Sequence, residues 1–361
     1  MNPGSVVARF EIPYRACLAP DGSACGPLPE FAREPEPVRA MYRAMLRARA
    51  FDAKAMNLQR TGQLGTYPSC LGHEATHVGA GAAMLPGDTL FSVYREIGAK
   101  FWRGVELADV LLYWGGDERG TRYAHTPQDF PFCIPIGSQM PQAAGTALAY
   151  QIRGEPRCVL VFIGDGGTSQ GAFYEAINFA GAKALPLVCV IVNNRWAISV
   201  PVRAQTAAQT LAQKAVAAGI PGLQIDGNDA LIVRATVAEA LERARGGGGP
   251  SVIEALTYRL GDHTTSDDAS RYRPAGELEA AWGLDPIPRL RSFLSERGWW
   301  DEAQEQSWRR ACAQEIDTAV QLYLATPKQS SDAMFDYLYA ELPPALRAQR
   351  EDARRYAGRK S

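Results

Sequence analysis

The sequence predicts an α/β protein built on a doubly wound, mostly parallel sheet, with an extended N-terminal arm and a helical C-terminal tail. Two observations carry this prediction. Residues 158–163 and 187–192 are continuously apolar, as expected of parallel strands that are covered on both faces. Strand-like and helix-like segments then alternate between residues 158 and 258, which is typical of a doubly wound sheet.

Composition divides the chain into three regions. Residues 1–34 are rich in proline, glycine and alanine, which predicts an extended arm that is disordered or laid over a partner. Residues 35–275 are predicted to form the α/β domain. Residues 276–361 are charged and amphipathic, so we expect helices that pack on this domain or on a partner.

Helical spacing and turn signals place the elements before the first long strand. Helices are predicted over residues 35–57, 72–84, 105–113 and 140–151. A proline-glycine pair ends the second helix just before the short apolar stretch 89–91. The polar and aromatic segment 115–135 is predicted to be an irregular loop near the site.

The first two long strands enclose an alanine-rich segment of helix length, residues 170–183. They therefore form a β-α-β unit, whose strands we expect to be adjacent. The later elements are predicted as a helix, a strand, a helix and a strand, over residues 210–218, 223–226, 231–245 and 251–256.

Composition excludes several classes of protein. The 38 basic and 39 acidic residues create no basic field, so nucleic-acid binding has no support. No apolar run approaches the roughly 20 residues of a membrane span. The N-terminus lacks the features of a signal peptide, and the seven cysteines include no C-x-x-C pair. We therefore expect a cytoplasmic protein.

Asp165 and Asn194 are the strongest candidates for a functional site. Asp165 lies in a Gly-Asp-Gly-Gly stretch that ends the first strand, and Asn194 ends the second. The carboxyl ends of adjacent parallel strands open into one crevice. Magnesium prefers oxygen ligands and shares its shell with phosphates, which Gly166 and Gly167 would allow to approach the backbone. The pattern predicts a magnesium-bound diphosphate; the alternative is an ordinary aspartate cap and asparagine turn.

A competing motif is His73-Glu74-Ala75-Thr76-His77, which matches H-E-x-x-H. On a helix, its two histidines would bind zinc beside a general base, as in a zinc metalloprotease. Such a site needs a third ligand. The chain holds only two other histidines, neither at a metzincin-like spacing: His125 and His263.

Residues 164–199 resemble the thiamine-diphosphate motif and, more closely, the E1 α subunit of 2-oxo acid dehydrogenase complexes. Further segments resemble that family in the family order: residues 92–96, 136–145, 261–268 and 298–302. The resemblance covers about residues 35–350. It implies a sheet of the thiamine-diphosphate-binding type, with thiamine diphosphate and Mg²⁺ as cofactors.

The resemblance also implies roles for individual residues. Asp165, Asn194 and the carbonyl of Trp196 would hold the metal, beside the phosphate-facing Gly166 and Gly167. Arg95 would contact the diphosphate and Tyr94 the cofactor, while Ile136 would lie against the aminopyrimidine ring. The implied catalytic residue is His263, a proton donor or acceptor near neutral pH in a loop over the cofactor, which Arg259 would orient.

The implied reaction is the oxidative decarboxylation of a 2-oxo acid, followed by acyl transfer to lipoamide on the lipoyl domain of the E2 component. We assign no glutamate of this chain to the cofactor's pyrimidine nitrogen. The family pattern supplies that residue from an E1 β subunit, so the resemblance implies an α2β2 heterotetramer and an inactive lone chain.

The sequence leaves the substrate open. Residues 164–181 and 209–222 resemble bacterial pyruvate dehydrogenase, whereas residues 261–272 and 298–302 resemble the branched-chain enzyme, which uses 3-methyl-2-oxobutanoate. Pyruvate is favoured because the first two segments are expected to surround the cofactor. Two readings of other classes are a self-sufficient thiamine lyase or synthase and a non-catalytic scaffold.

Overall fold

The computed structural model describes residues 5–357. Their strands are β1 (Tyr14–Arg15), β2 (Thr89–Phe91), β3 (Val159–Gly164), β4 (Leu187–Asn193), β5 (Trp196–Ala197), β6 (Val200–Pro201), β7 (Gly222–Asp226) and β8 (Ser251–Leu256). The helices of the first half are α1 (Pro35–Arg60), α2 (Glu74–Ala82), α3 (Ile97–Arg103), α4 (Leu107–Trp114), α5 (Gln139–Arg153) and α6 (Gly171–Lys183). Those of the second half are α7 (Val202–Gln205), α8 (Lys214–Ala217), α9 (Ala230–Arg243), α10 (Ala275–Trp282), α11 (Pro286–Glu296), α12 (Glu302–Ala325), α13 (Ala333–Asp336) and α14 (Pro344–Ala357).

Six strands form one parallel sheet in the order β1-β7-β8-β4-β3-β2, and β5 and β6 form a separate antiparallel ribbon. Alternate residues of β3 point to opposite layers. Val159, Val161 and Ile163 pack with α5 and α6. Leu160 and Phe162 pack with α2 and α9. The predicted doubly wound sheet is confirmed, and burial on both faces explains why its strands are apolar throughout.

The N-terminal arm packs in part on the chain's own domain. Tyr14 pairs with Gln224, so β1 extends the sheet beyond β7. The backbone N–H groups of Cys17 and Leu18 donate to the Asp229 carboxylate at 2.8 and 2.7 Å. The arm thereby covers the otherwise unpaired edge of β7. Residues 1–4 lie outside the described residues, and the division at residues 34 and 275 stays a prediction.

The helix predicted over residues 210–218 is shorter than expected, because α8 has only four residues. Thr210 and Gln213 bond each other's backbone N–H groups through their side chains, at 3.0 and 3.2 Å. This reciprocal pair is the pattern of a capping box, which begins a helix. The next backbone bonds join residues three apart, as from the Lys214 N–H to the Leu211 carbonyl at 3.1 Å, so the first turn is 3₁₀-like and the α-helix is limited to α8. Gly219 then ends the segment with a φ of 67°.

The C-terminal region is helical, as predicted, and its first part packs on α1. Trp300 is buried against Tyr42, with ring centroids 5.4 Å apart, and donates from Nε1 to Glu305 at 2.8 Å. Among residues 5–357, no helix has the length and apolar character needed to cross a membrane.

Candidate active site

A cavity of about 250 Å³ opens at the carboxyl edge of β3 and β4. Nine of the ten residues that the sequence analysis singled out for the cofactor line it: Tyr94, Arg95, Ile136, Asp165, Gly166, Gly167, Asn194, Trp196 and His263. The tenth, Arg259, lies behind the wall and contacts His263. Segments that are far apart in the chain therefore meet at one edge of the sheet.

The metal end of the cavity is set by strand register. Gly164 pairs with Val192, so Asp165 and Asn194 follow at the same edge, and the Asp165 N–H donates to the Val192 carbonyl at 3.3 Å. The Asn194 side-chain oxygen accepts the Trp196 N–H at 3.2 Å. The carboxylate that follows β3 and the amide and carbonyl that follow β4 thus line the same cavity, and they form a ligand set suited to a hard divalent cation.

Burial raises the pKa of the Asp165 carboxyl, while a hydrogen bond from Gln205 opposes that shift. A divalent cation would hold the group in its ionised form. Within residues 5–357, no three His, Cys, Asp or Glu side chains are grouped as metal ligands. Any metal here would therefore depend on the amide and carbonyl oxygens beside the one carboxylate.

The turn after Asp165 requires glycine because its neighbours are close. A Cβ on Gly166 would lie 2.5 Å from the Ala197 Cβ, and one on Gly167 would lie 2.6 Å from the Ile163 Cγ1. The turn leads into α6, whose first N–H groups have no partner within the helix and favour an anion.

Two buried guanidinium groups make the opposite wall cationic. Arg95 is 5% exposed and Arg259 is 0% exposed, and within residues 5–357 neither forms an ion pair with a carboxylate. Arg95 donates to the Ser69 and His263 carbonyls, and Arg259 to the Ile198 carbonyl and the Tyr272 hydroxyl. Two buried positive charges that make no direct contact with a carboxylate are unfavourable, so this wall fits a multiply charged anion such as a diphosphate.

The hydrogen bonds around His263 fix its tautomer. Nδ1 faces the NH groups of Arg95 at 3.3 Å and Arg259 at 3.1 Å, so it accepts. The proton therefore resides on Nε2, which lies 3.5 Å from the Tyr94 hydroxyl. Burial, followed by the two arginines, lowers the pKa of His263 to about 3. In this structure the imidazole is therefore a neutral donor through Nε2, and the role of His263 as proton donor or acceptor stays a prediction.

The loop that carries His263 is anchored from both sides. Asp267 accepts the His263 backbone N–H at 2.8 Å and the Tyr272 hydroxyl. Asp262 accepts the Ala269 N–H at 3.0 Å. Arg259 bonds both Tyr272 and the Trp196 carbonyl, so one guanidinium connects the loop to the metal end of the cavity.

The zinc alternative finds no support in the geometry. The Glu74 carboxylate accepts from Arg49 and from the Gly72 N–H at 3.0 Å, which holds it as a structural group. The His73 and His77 rings are fully buried 5.5 Å apart, and their nitrogens have no partner within residues 5–357. His73 lines the cavity, a position that the motif alone did not indicate.

Sequence reasoning missed other side chains at the site. Gln170 lines the cavity, and Gln205 donates to the Asp165 carboxylate at 3.0 Å. Gln205 comes 40 residues after Asp165 on the short helix α7, with no motif of its own. Only the three-dimensional fold brings it to the site.

The buried histidines predict a pH dependence of stability. Burial lowers the pKa of His77 to about 3, whereas an imidazole in the unfolded chain titrates at about 6.5. Between these values the unfolded state binds the extra proton, so stability falls as the pH drops through this window. When the pH is lowered from about 7.5 to 5.5, the free energy of unfolding of wild type should fall by about 1.4 kcal/mol more than that of His77→Phe. Urea unfolding at both pH values measures the difference.

The control for this prediction is His125→Phe, because the His125 side chain is 66% exposed. It should lose the same stability as wild type over this pH range. If His77→Phe also behaved like wild type, His77 would not be a neutral buried imidazole in the folded protein.

Comparison with known proteins agrees with this geometry. A family model described as dehydrogenase E1 component matches residues 42–331. The 3-methyl-2-oxobutanoate dehydrogenase subunit alpha of Mycobacterium tuberculosis is 41% identical over 362 residues, which cover 98% of this chain and 96% of the relative. The pyruvate dehydrogenase E1 component subunit alpha is 42% identical in Acholeplasma laidlawii, over 89% of this chain and 94% of the relative. The pyruvate dehydrogenase E1 component subunit alpha of Bacillus subtilis is 40% identical, over 87% of this chain and 85% of the relative. The chain therefore belongs to the family of E1 component α subunits of 2-oxo acid dehydrogenases.

Proposed function

We propose that this chain is the α subunit of an E1 enzyme that acts on a branched-chain 2-oxo acid, with 3-methyl-2-oxobutanoate as the substrate. Membership of the E1 family implies thiamine diphosphate as the cofactor. The observation that carries the proposal is the loop over the cavity. This branched-chain-like segment, residues 261–272, brings His263 to the cavity wall.

The sequence favoured pyruvate because both pyruvate-like segments were expected to surround the cofactor, and the structure supports this for only one of them. Residues 209–222, all within the described range, lie away from the cavity. Their apolar members Leu211, Ala215 and Ile220 pack into the layer of α5 and α6. Of the two pyruvate-like segments, only residues 164–181 reach the cavity, and of the two branched-chain-like segments only residues 261–272 do. The Mycobacterium relative also matches more of the chain than the pyruvate relatives.

The residues of the cavity fit Mg²⁺ and thiamine diphosphate. Asp165, Asn194 and the Trp196 carbonyl would hold the metal. Arg95 would hold the diphosphate, because its buried charge has no carboxylate partner in the described range. Ile136 would support the aminopyrimidine ring; it is 38% exposed and lies on the open side of the cavity.

When bound, thiamine diphosphate supplies the nucleophilic carbon and the electron sink that the decarboxylation of a 2-oxo acid requires. His263 would bind and orient an oxygen of the cofactor or substrate through its Nε2–H. The Arg95 and Arg259 guanidiniums would keep its Nδ1 unprotonated, so this donor remains available across neutral pH.

We further propose that an E1 β subunit completes the site and that the lipoyl domain of E2 accepts the acyl group, in an α2β2 assembly. The relatives are named as alpha subunits, which implies a second kind of subunit. Glu96 lines the cavity, but its carboxylate accepts the Val93 N–H at 2.7 Å and so holds the local turn. The glutamate that activates the pyrimidine would then come from the partner.

A rate comparison tests the substrate. The α chain is produced together with its β subunit, and kcat/KM is measured for pyruvate and for 3-methyl-2-oxobutanoate with an artificial electron acceptor. We expect the branched substrate to be favoured by about 10-fold or more, the usual effect of extra methyl groups in an apolar pocket. The lone chain is the control and should be inactive. Preference for pyruvate would reverse the assignment, and full activity of the lone chain would refute the shared site.

A further inference from the structure

We propose that Gln205 is a positioning residue that orients the Asp165 carboxylate toward the magnesium ion. The inference rests on the proposed function, because that function places the metal at Asp165. It adds a residue of α7 that contacts a proposed metal ligand directly.

Both hydrogens of the Gln205 amide are used. Nε2 donates to the Asp165 Oδ2 at 3.0 Å and to the Val200 carbonyl at 3.0 Å. A flipped amide would place its oxygen against two acceptors, so the hydrogen bonds define the orientation of the group. This bond to Oδ2 restricts rotation of the carboxylate, and Oδ1 would then be the oxygen available to a metal.

The second acceptor connects Gln205 to the other side of the site. Val200 pairs with Ala197 and Pro201 with Trp196 in the β5–β6 ribbon. The same ribbon supplies the Trp196 carbonyl, which is another of the three protein oxygens proposed for the metal. Gln205 therefore fixes the distance between two parts of the ligand set, Asp165 at the end of β3 and the ribbon beyond β4.

The amide also lies over the turn that would receive the phosphates. Its Oε1 would be 3.6 Å from a Cβ placed on Gly166, so the side chain closes one flank of the site without filling it. Partners that hydrogen-bond a ligating carboxylate restrict its motion and tune its charge. Their removal typically weakens metal binding by about 10- to 100-fold.

A metal titration separates this role from a purely structural one. The α chain is produced with its β subunit, and binding of thiamine diphosphate is followed by tryptophan fluorescence at increasing Mg²⁺. Gln205→Met keeps the length of the side chain and removes its donors. We expect it to need about 10-fold more Mg²⁺ for half-maximal binding. At saturating Mg²⁺, its Kd for thiamine diphosphate should stay within about 2-fold of wild type, because the lost donors act through the metal ligand.

The matched control is Gln209→Ala. Gln209 is an exposed glutamine four residues along the chain, and no hydrogen bond of its side chain occurs within residues 5–357. It should need the same Mg²⁺ concentration as wild type. Thermal unfolding without metal checks that each variant is folded. If Gln205→Met unfolds, Gln205→Ala carries the test, because its truncation leaves space at a half-buried position.

Each outcome decides the question. An unchanged Mg²⁺ requirement in Gln205→Met overturns the inference. So does a loss of thiamine diphosphate binding that high Mg²⁺ does not restore, since Gln205 would then support the ribbon rather than the metal. Failure of wild type to bind thiamine diphosphate in an Mg²⁺-dependent manner would instead refute the proposed function.

Discussion

Asp165→Ala is expected to abolish the magnesium-dependent binding of thiamine diphosphate. Asp165 is the one carboxylate among the three proposed metal ligands, and it is buried at the end of β3. Its removal leaves two neutral oxygens, which cannot balance a divalent charge. We expect the affinity for thiamine diphosphate to fall by at least about 100-fold. This loss is larger than that expected when a residue that only hydrogen-bonds a metal ligand is removed. Isothermal titration of the α/β complex with thiamine diphosphate, at fixed Mg²⁺, measures this.

The control for this experiment is Asp317→Ala. Asp317 is an exposed aspartate whose salt bridge with Lys54 lies on the surface, and its removal should leave binding unchanged. Retention of magnesium-dependent binding in Asp165→Ala would show that the metal lies elsewhere. Asp165 and Asn194 would then serve only as a structural cap and turn.

Gly166→Ala is expected to weaken cofactor binding by pushing the β5–β6 ribbon away from the turn. The added methyl would lie 2.5 Å from the Ala197 Cβ, a distance that side chains do not tolerate. Overpacking of this kind costs about 1–3 kcal/mol. Because the ribbon carries the Trp196 carbonyl, the shift should also raise the Kd for thiamine diphosphate by about 10-fold, which corresponds to about 1.4 kcal/mol.

The double variant Gly166→Ala/Ala197→Gly provides the decisive comparison. Without the Ala197 methyl, the nearest atom to the new methyl is the Ala197 Cα at 3.5 Å, an ordinary contact. The second change should therefore restore both stability and binding, and Ala197→Gly alone serves as the control for a thermodynamic cycle. If the double variant bound no better than Gly166→Ala, the clash would not explain the effect of the first substitution.

The part of the site that sequence reasoning predicted is the part built from local structure. Asp165 and Asn194 end two strands of one β-α-β unit, so their proximity follows from the adjacency of those strands. Tyr94, Arg95 and His263 come from remote segments. Periodicity does not bring such segments together, and only the resemblance to a family placed them in the same site.

What the sequence did not predict has physical causes that can be named. The two residues of β1 are too few for an alternating pattern, and their pairing with β7 depends on an edge that exists only after folding. The helix expected over residues 210–218 begins with backbone bonds that join residues three apart, and apolar spacing does not distinguish these from α-helical bonds. The low pKa of His263 arises from burial and from two arginines that are distant in sequence.

The Arg259 guanidinium connects the metal end of the cavity with the loop that carries His263. One guanidinium donates to the Trp196 carbonyl at the metal end and to Tyr272 in the loop that carries His263. A metal ion bound to the Trp196 carbonyl, as proposed, would therefore compete with the bond that Arg259 donates to the same oxygen. By thermodynamic linkage, the factor by which metal alters loop closure equals the factor by which closure alters metal affinity. Metal binding and anchoring of the loop would thus be two coupled equilibria, each of which changes the other by the same factor.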